Sequence, residues 1–216
     1  MKPPLKKRIL LVLAAFAIQS LYTPTSLLLE GGIEPKLPWD VFTLQVVWVI
    51  PYTLCYPLWV FSIAWFVWKM DEKLFRATIA GFFFTFSLGG LIYITFPTYV
   101  VHPHIPGNDI LSKLLLLLIS MGGDHDALPS AHVYLSVILA LFYGKWYPKY
   151  RWLWAGMVII ISLSTLFTKQ HYVADVFAGM TTAWLGYRFG LWWSNRYDSE
   201  PGFVQRNAPT RQEDIS

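Results

Sequence analysis

The chain has 216 residues, of which 55% are hydrophobic, 18% aromatic and only 14% charged. Soluble domains carry about 25% charged residues, so this composition excludes an ordinary soluble domain and favours an integral membrane protein. The formal net charge of +4 comes from short basic clusters beside apolar segments. That distribution excludes nucleic acid as a partner and predicts contact with membrane lipids.

Six apolar segments are suited to crossing the bilayer core as helices, which takes about 20 residues each. The fourth reaches that length only by including His132, and the sixth carries Asp175 and Arg188. A further segment, Leu114–Met121, is too short to span, so we predict a helix at the membrane interface. The six predicted spans are Ile9–Leu29, Val41–Trp68, Ala77–Val101, Ala127–Gly144, Trp152–Thr168 and Tyr172–Trp193.

The predicted fold is therefore all-α: a polytopic membrane helix bundle with about six transmembrane helices, forming one catalytic domain over residues 1–197. Residues 198–216 are polar and contain Pro201 and Pro209, which predicts a disordered cytoplasmic tail. Lys2–Arg8 and the apolar run after it also resemble the start of a signal peptide. Because no clear small-x-small cleavage site follows, we favour an uncleaved first span, with cleavage as the alternative.

The basic residues predict the orientation. With the N-terminus inside, 14 of the 17 lysines and arginines fall in cytoplasmic segments, and only Lys36, Lys113 and Lys169 fall outside. All five histidines fall on the outer face, a clustering that targeting rules do not explain. The sequence thus predicts an extracytoplasmic site in a plasma or inner membrane, with both termini cytoplasmic. The histidines are His102, His104, His125, His132 and His171.

One candidate pair lies at the start of the sixth segment. His171 and Asp175 are four residues apart, so on a helix they share a face. An aspartate that accepts a hydrogen bond from one ring nitrogen fixes the tautomer and leaves the other nitrogen as a nucleophile or base. The structural alternative is a favourable acidic residue in a first helical turn.

A second candidate, Leu128-Pro129-Ser130-Ala131-His132, is typical of a helix start, whose free N–H groups bind anions. A phosphate there would also meet the Ser130 hydroxyl and the His132 ring. The alternative is an ordinary N-cap followed by a packed histidine.

Ser164, Thr165 and Lys169 precede His171. A cation two residues before a nucleophilic histidine would neutralise a bound anion, although Lys169 could instead extend to lipid headgroups. Two histidines, an orienting aspartate, helix N-termini and a cation together indicate phosphoryl transfer.

The motifs LPSAH and, about forty residues later, STLFTKQHYVAD resemble those of the type 2 phosphatidic acid phosphatase superfamily over roughly residues 95–180. The residues of the second motif most resemble those of the branch around inositol phosphorylceramide synthase. The resemblance implies that His171 is the nucleophile and forms a phosphohistidine, that Asp175 orients it, and that His132 is the general acid and then base. It also implies phosphate binding by Ser130, with no metal and no cofactor.

The chain departs from the family pattern where that pattern has phosphate-binding cations. Thr165, beside Ser164, stands in an arginine position, and His102 before Pro103 stands in another. We predict Lys169 as the main substitute. Lys113, His102 and His104 are weaker candidates.

The leading hypothesis is a metal-independent lipid-phosphate phosphatase acting on a lipid phosphate or diphosphate at the outer face. The alternative is a lipid phosphotransferase of the inositol phosphorylceramide synthase type, in which an alcohol replaces water. Weaker alternatives are a metal-binding or transport protein that uses the outer histidines and Asp126, and an inactive relative that only binds lipid phosphate.

Overall fold

The computed structural model of the chain describes residues 4–28, 31–105, 107–123 and 125–198. Over these ranges the protein is helical, with two isolated β-bridges, which confirms the predicted fold class. The predicted disordered tail lies outside the described residues, apart from Asp198. The helices are α1 (Leu5–Gln19), α2 (Tyr22–Leu28), α3 (Val49–Lys69), α4 (Glu72–Thr95), α5 (Ile110–Gly122), α6 (Ala131–Trp146), α7 (Arg151–Phe167) and α8 (Val173–Asp198).

Four stretches of the described chain are long and apolar enough to cross a membrane: Leu5–Ser26, Val46–Lys69, Glu72–Thr95 and Pro148–Phe167. The predicted short apolar helix is α5, with 13 residues. The other two predicted spans correspond to α6, which has only 16 residues, and α8, which has 26 but contains Asp175 and Arg188. Four spans are thus supported by length and composition, and the total of six stays a prediction.

Several helix boundaries differ from the predicted ones, because side chains and distant backbone groups compete for the terminal N–H groups. α4 begins five residues earlier than predicted, at Glu72, since Asp71 caps it by accepting from Leu74 N at 2.9 Å. Residues 41–45 are not helical, although the predicted second span included them. There Gln45 N donates to the carbonyl of Phe167 at 3.0 Å, which ties this stretch to the end of α7.

Glycines let α8 approach its neighbours backbone to backbone. A Cβ at Gly190 would lie 2.2 Å from the Ala77 carbonyl oxygen of α4, and one at Gly179 would lie 2.9 Å from the Ser130 carbonyl oxygen. Small residues at helix interfaces allow such close packing in membranes. α8 is therefore held against both α4 and the start of α6.

The two ends of the bundle differ in charge. At one end, the buried Arg8 donates to the carbonyl of Met70 at 2.7 Å and to Glu72 at 3.0 Å, joining α1 to the turn between α3 and α4. Ser194 Oγ donates to the carbonyl of Lys73 at 3.0 Å, which brings the end of α8 to the same place. The histidines at the starts of α6 and α8 lie at the opposite end.

We expect Gly190→Ala to destabilise the protein, because its methyl group would collide with the α4 backbone, which cannot rotate away. Overpacking of this kind costs about 1–3 kcal/mol, so the thermal unfolding midpoint in detergent should fall by several degrees.

Gly156→Ala on α7 is the matched control, since a Cβ there meets nothing within 4 Å. Helix propensity alone should leave this control as stable as the wild type or slightly more stable. Equal unfolding midpoints for both variants would contradict the close packing of α8 on α4.

Candidate active site

The turn between α7 and α8 places His171. The carbonyl of Thr165 accepts from Gln170 N at 3.0 Å and from His171 N at 3.2 Å, which ends α7 and reverses the chain. Lys169 within this turn has a φ of 58°, in the left-handed region. The residue that stands in the family's arginine position thus positions His171 through its backbone.

Asp175 holds the ring of His171. Its Oδ2 accepts from His171 Nδ1 at 3.3 Å and from the backbone N of Tyr172 at 2.8 Å, and the carboxylate is fully buried. Because a carboxylate only accepts hydrogen bonds, the proton of the neutral ring lies on Nδ1. The other nitrogen, Nε2, then carries the lone pair, as the predicted pairing requires.

The α6 motif is joined directly to α8. Ser130 N donates to the carbonyl of Asp175 at 3.1 Å, and Ser130 Oγ caps α6 by accepting from Val133 N at 3.4 Å. Tyr93 on α4 donates its hydroxyl proton to the carbonyl of Pro129 at 2.6 Å. These bonds bring His132 next to His171, with ring centroids 6.0 Å apart.

Three aromatic residues of α3 surround His132, a contact that the motifs did not predict. The Tyr56 hydroxyl lies 3.0 Å from His132 Nε2, and the Tyr52 ring packs on the imidazole at a centroid distance of 4.4 Å. Trp59 lies 5.5 Å from it, centroid to centroid. The i, i+4, i+7 spacing of these aromatic residues was the available signal, since it places them on one helix face.

A cavity of about 380 Å³ opens beside the two histidines. Four of the five histidines line it, which agrees with the predicted clustering, whereas the fifth, His104, is exposed elsewhere. Among the described residues, its lining includes no lysine or arginine. Its polar lining consists of Tyr22, Tyr52, Tyr56, His102, His125, Asp126, His132, Gln170 and His171.

The predicted phosphate-binding residues divide into two groups. His102 lines the cavity and Ser130 caps the adjacent helix, but Lys169 and Lys113 are absent from the lining. The hydroxyls of Ser164 and Thr165 donate to carbonyls of their own helix, at 2.7 and 2.8 Å.

Lys169 faces a second set of charges beside the α8 start. Burial lowers the pKa of its ammonium group, Lys36 lowers it further, and Asp40 raises it. Asp40 itself accepts from Val173 N, the first residue of α8, at 2.9 Å.

Gln170 is a further cavity residue that sequence reasoning missed. Its side chain lines the cavity, and its buried Nε2 has no hydrogen-bond partner among the described residues. Such an amide is a donor for phosphate oxygens. Nothing in the motif distinguishes Gln170 from a turn residue, so only the fold reveals it.

The weaker alternative of a metal site predicts that the outer histidines lie close enough together to bind one ion. Within the described ranges, no group of three or more His, Cys, Asp or Glu side chains is arranged to hold a metal ion.

Comparison with known proteins decides the family. A model described as the PAP2 superfamily matches residues 38–189, more than two thirds of the chain. The chain belongs to the PAP2 superfamily. The match covers both histidine motifs, confirms the resemblance, and supports an integral membrane enzyme of the lipid phosphatase type. The closer likeness to inositol phosphorylceramide synthase stays a prediction, and neither a curated protein nor a solved structure matches the chain.

Substitutions at Lys169 and Gln170, two adjacent residues of the α7–α8 turn, can show which side chain contacts phosphate. We expect Gln170→Met, which keeps the size but removes the amide, to raise KM for a lipid phosphate about tenfold. A hydrogen bond to a charged group contributes on the order of 1.5 kcal/mol, which corresponds to that factor.

Lys169→Asn is the matched variant, because asparagine tolerates the left-handed backbone. We expect it to change KM less than Gln170→Met does, since Lys169 lies outside the cavity lining. The reverse order of effects, measured by phosphate release from detergent micelles, would restore Lys169 as the phosphate-binding cation.

Proposed function

We propose that this PAP2 superfamily member is a lipid-phosphate phosphatase that works through a phosphohistidine on His171. The observation that carries the proposal is the Asp175–His171 pair, which leaves Nε2 available beside the cavity and 6.0 Å, ring to ring, from His132. The substrate class is a lipid bearing a phosphate or diphosphate.

In the first step, His171 Nε2 attacks phosphorus and the bond from phosphorus to the lipid oxygen breaks. Protonated His132 gives its proton to the leaving oxygen, so a lipid alcohol departs. Asp175 stabilises the imidazolium character that develops on His171. In the second step, His132 takes a proton from water, the water oxygen attacks phosphorus, and the phosphorus–nitrogen bond breaks to release inorganic phosphate.

Phosphate is held without a lysine or arginine from the described cavity lining. The donors that we propose are the N–H groups in the first turn of α6 and the amide of Gln170, whose Nε2 has no partner among the described residues. These groups are fixed by the backbone bonds around Ser130 and Thr165, so they need little rearrangement to meet the developing charge.

The charge asymmetry supports an orientation for the enzyme. Arg8, Lys73 and Lys145 lie at the bundle end opposite the histidines, and basic segments are retained in the cytoplasm. The proposal therefore places the active site on the extracytoplasmic side of a plasma or inner membrane, with both termini cytoplasmic.

The phosphotransferase alternative shares the same intermediate, and one feature of the cavity favours considering it. A buried carboxylate, Asp126, lines the cavity that the phosphate would enter. A group of this kind suits an alcohol acceptor better than it suits phosphate.

The primary test is inorganic phosphate release from a panel of lipid phosphates by purified protein in detergent, with and without EDTA. We expect release that EDTA does not reduce and that falls at least about 10³-fold in His171→Ala, because the nucleophile is lost. Rapid acid-free quenching should trap a phosphorylated wild-type protein. Release that survives His171→Ala would overturn the phosphohistidine.

Tyr56→Phe tests whether the contact between the Tyr56 hydroxyl of α3 and His132 Nε2 assists proton transfer. Loss of the hydroxyl frees the ring that must donate a proton, so we expect kcat on a lipid phosphate to fall about tenfold with little change in KM. With a nitrophenyl phosphate as substrate, the rate of the first step should fall less in this variant, because the leaving group needs no proton.

Tyr150→Phe, exposed near the opposite end of the bundle, is the control and should match the wild type. Equal losses on both substrates in Tyr56→Phe would mean that Tyr56 acts on the packing of the site rather than on the proton of His132.

A further inference from the structure

Asp126 lies in the same cavity as the two catalytic histidines, three residues before Pro129. Its side chain is only 1% exposed. One carboxylate oxygen, Oδ2, accepts from the hydroxyl of Thr25 at 2.6 Å, whereas Oδ1 has no hydrogen-bond partner among the described residues. A buried acceptor without a protein partner is costly, so a molecule in the cavity, water or a ligand, is expected to satisfy it.

The backbone holds this carboxylate in an unusual conformation. Asp126 has a φ of 62°, a region that non-glycine residues seldom adopt. Bonds on both sides fix it there: His125 pairs with Tyr99 in an antiparallel bridge, and Leu128 N donates to Thr98 Oγ1 at 2.9 Å. Strained residues fixed in this way concentrate at binding sites.

A carboxylate is an unsuitable contact for phosphate, because two anions repel each other in a poorly hydrated cavity. Burial raises the pKa of the Asp126 carboxyl, while the hydrogen bond from Thr25 lowers it. A hydroxyl satisfies Oδ1 without adding a charge to the cavity, and hydroxyl groups accompany phosphate in many lipids.

We propose that Asp126 forms a hydroxyl-binding subsite beside the phosphate position, in which Oδ1 accepts a hydrogen bond from an alcohol. This inference rests on the proposed function for the identity of the neighbouring phosphate. The hydroxyl has two possible sources: the lipid substrate itself, next to its phosphate, or a free alcohol that replaces water in the second step. In the second case, Asp126 binds one hydroxyl of a polyol while the oxygen of another hydroxyl attacks phosphorus. The proton of the attacking hydroxyl passes to His132, and the bond from phosphorus to His171 Nε2 breaks.

The first arm of the test measures binding, so it does not require turnover. Lysophosphatidate and its 2-deoxy analogue, which differ by one hydroxyl, are titrated into His171→Ala protein and into His171→Ala with Asp126→Gly. Glycine is the chosen replacement because it adopts the φ of 62° without strain. We expect the hydroxyl-bearing lipid to bind about tenfold more tightly than its analogue in the first protein, and equally in the second.

The second arm measures how the phosphoryl group is divided between an added alcohol and water. Protein with an intact His171 is given a labelled lipid phosphate together with glycerol or inositol, and the ratio of phosphorylated alcohol to inorganic phosphate is determined. If the hydroxyl belongs to an acceptor, that ratio should fall about tenfold in Asp126→Gly. Tyr150→Phe, exposed near the opposite end of the bundle, is the control and should keep the wild-type ratio.

A tenfold effect of Asp126→Gly in either arm supports the subsite and identifies the source of the hydroxyl. If Asp126→Gly changes neither ratio, or weakens both lipids equally, the subsite is wrong. Because the first arm uses a protein without its nucleophile, a failure of the proposed phosphatase activity would leave that arm decisive.

Discussion

The candidate active site depends on one backbone hydrogen bond, from Ser130 N–H to the carbonyl of Asp175. It joins the start of α6 to the start of α8, so the two motifs that carry the histidines meet although they are about forty residues apart in sequence. Gly179 makes the contact possible, since a side chain there would collide with the Ser130 carbonyl. A bond between backbone groups is an exacting constraint, because neither partner can rotate away as a side chain would.

The same contact explains the electrostatics of the cavity. The first turn of α6 borders the cavity through Ala131 and His132, so the N–H groups and the dipole of that helix favour a bound anion. Imidazoles, tyrosine hydroxyls and an amide are the other possible donors in the described lining, where the family pattern has arginine and lysine. Imidazole is a weaker and more adjustable cation than guanidinium, so such a cavity suits a ligand that also presents neutral groups. The carboxylate of Asp126 within it fits that character.

α3 contributes to the site without belonging to any motif. Its aromatic face fixes His132 on three sides, and Trp59 also donates to Ser136 Oγ at 3.0 Å, one turn further along α6. The role that we propose for His132, giving and then receiving a proton, requires its ring to be held while its charge changes. Packing against rigid aromatic rings on a neighbouring helix provides that hold.

Local sequence patterns were enough to predict the membrane class, the all-helical fold, the separation of basic residues from histidines, and the pairing of His171 with Asp175. These follow from local rules, because span length, charge clustering and i, i+4 spacing act within one segment. The donors that reach the cavity, in contrast, are set by the way the helices and turns pack together. This packing placed Gln170 in the lining and Lys169 outside it, although the two are adjacent, because the left-handed turn at Lys169 directs neighbouring side chains apart. It likewise brought Tyr56 to His132 and Asp126 to the same cavity, since contacts between distant helices depend on packing that no local pattern encodes.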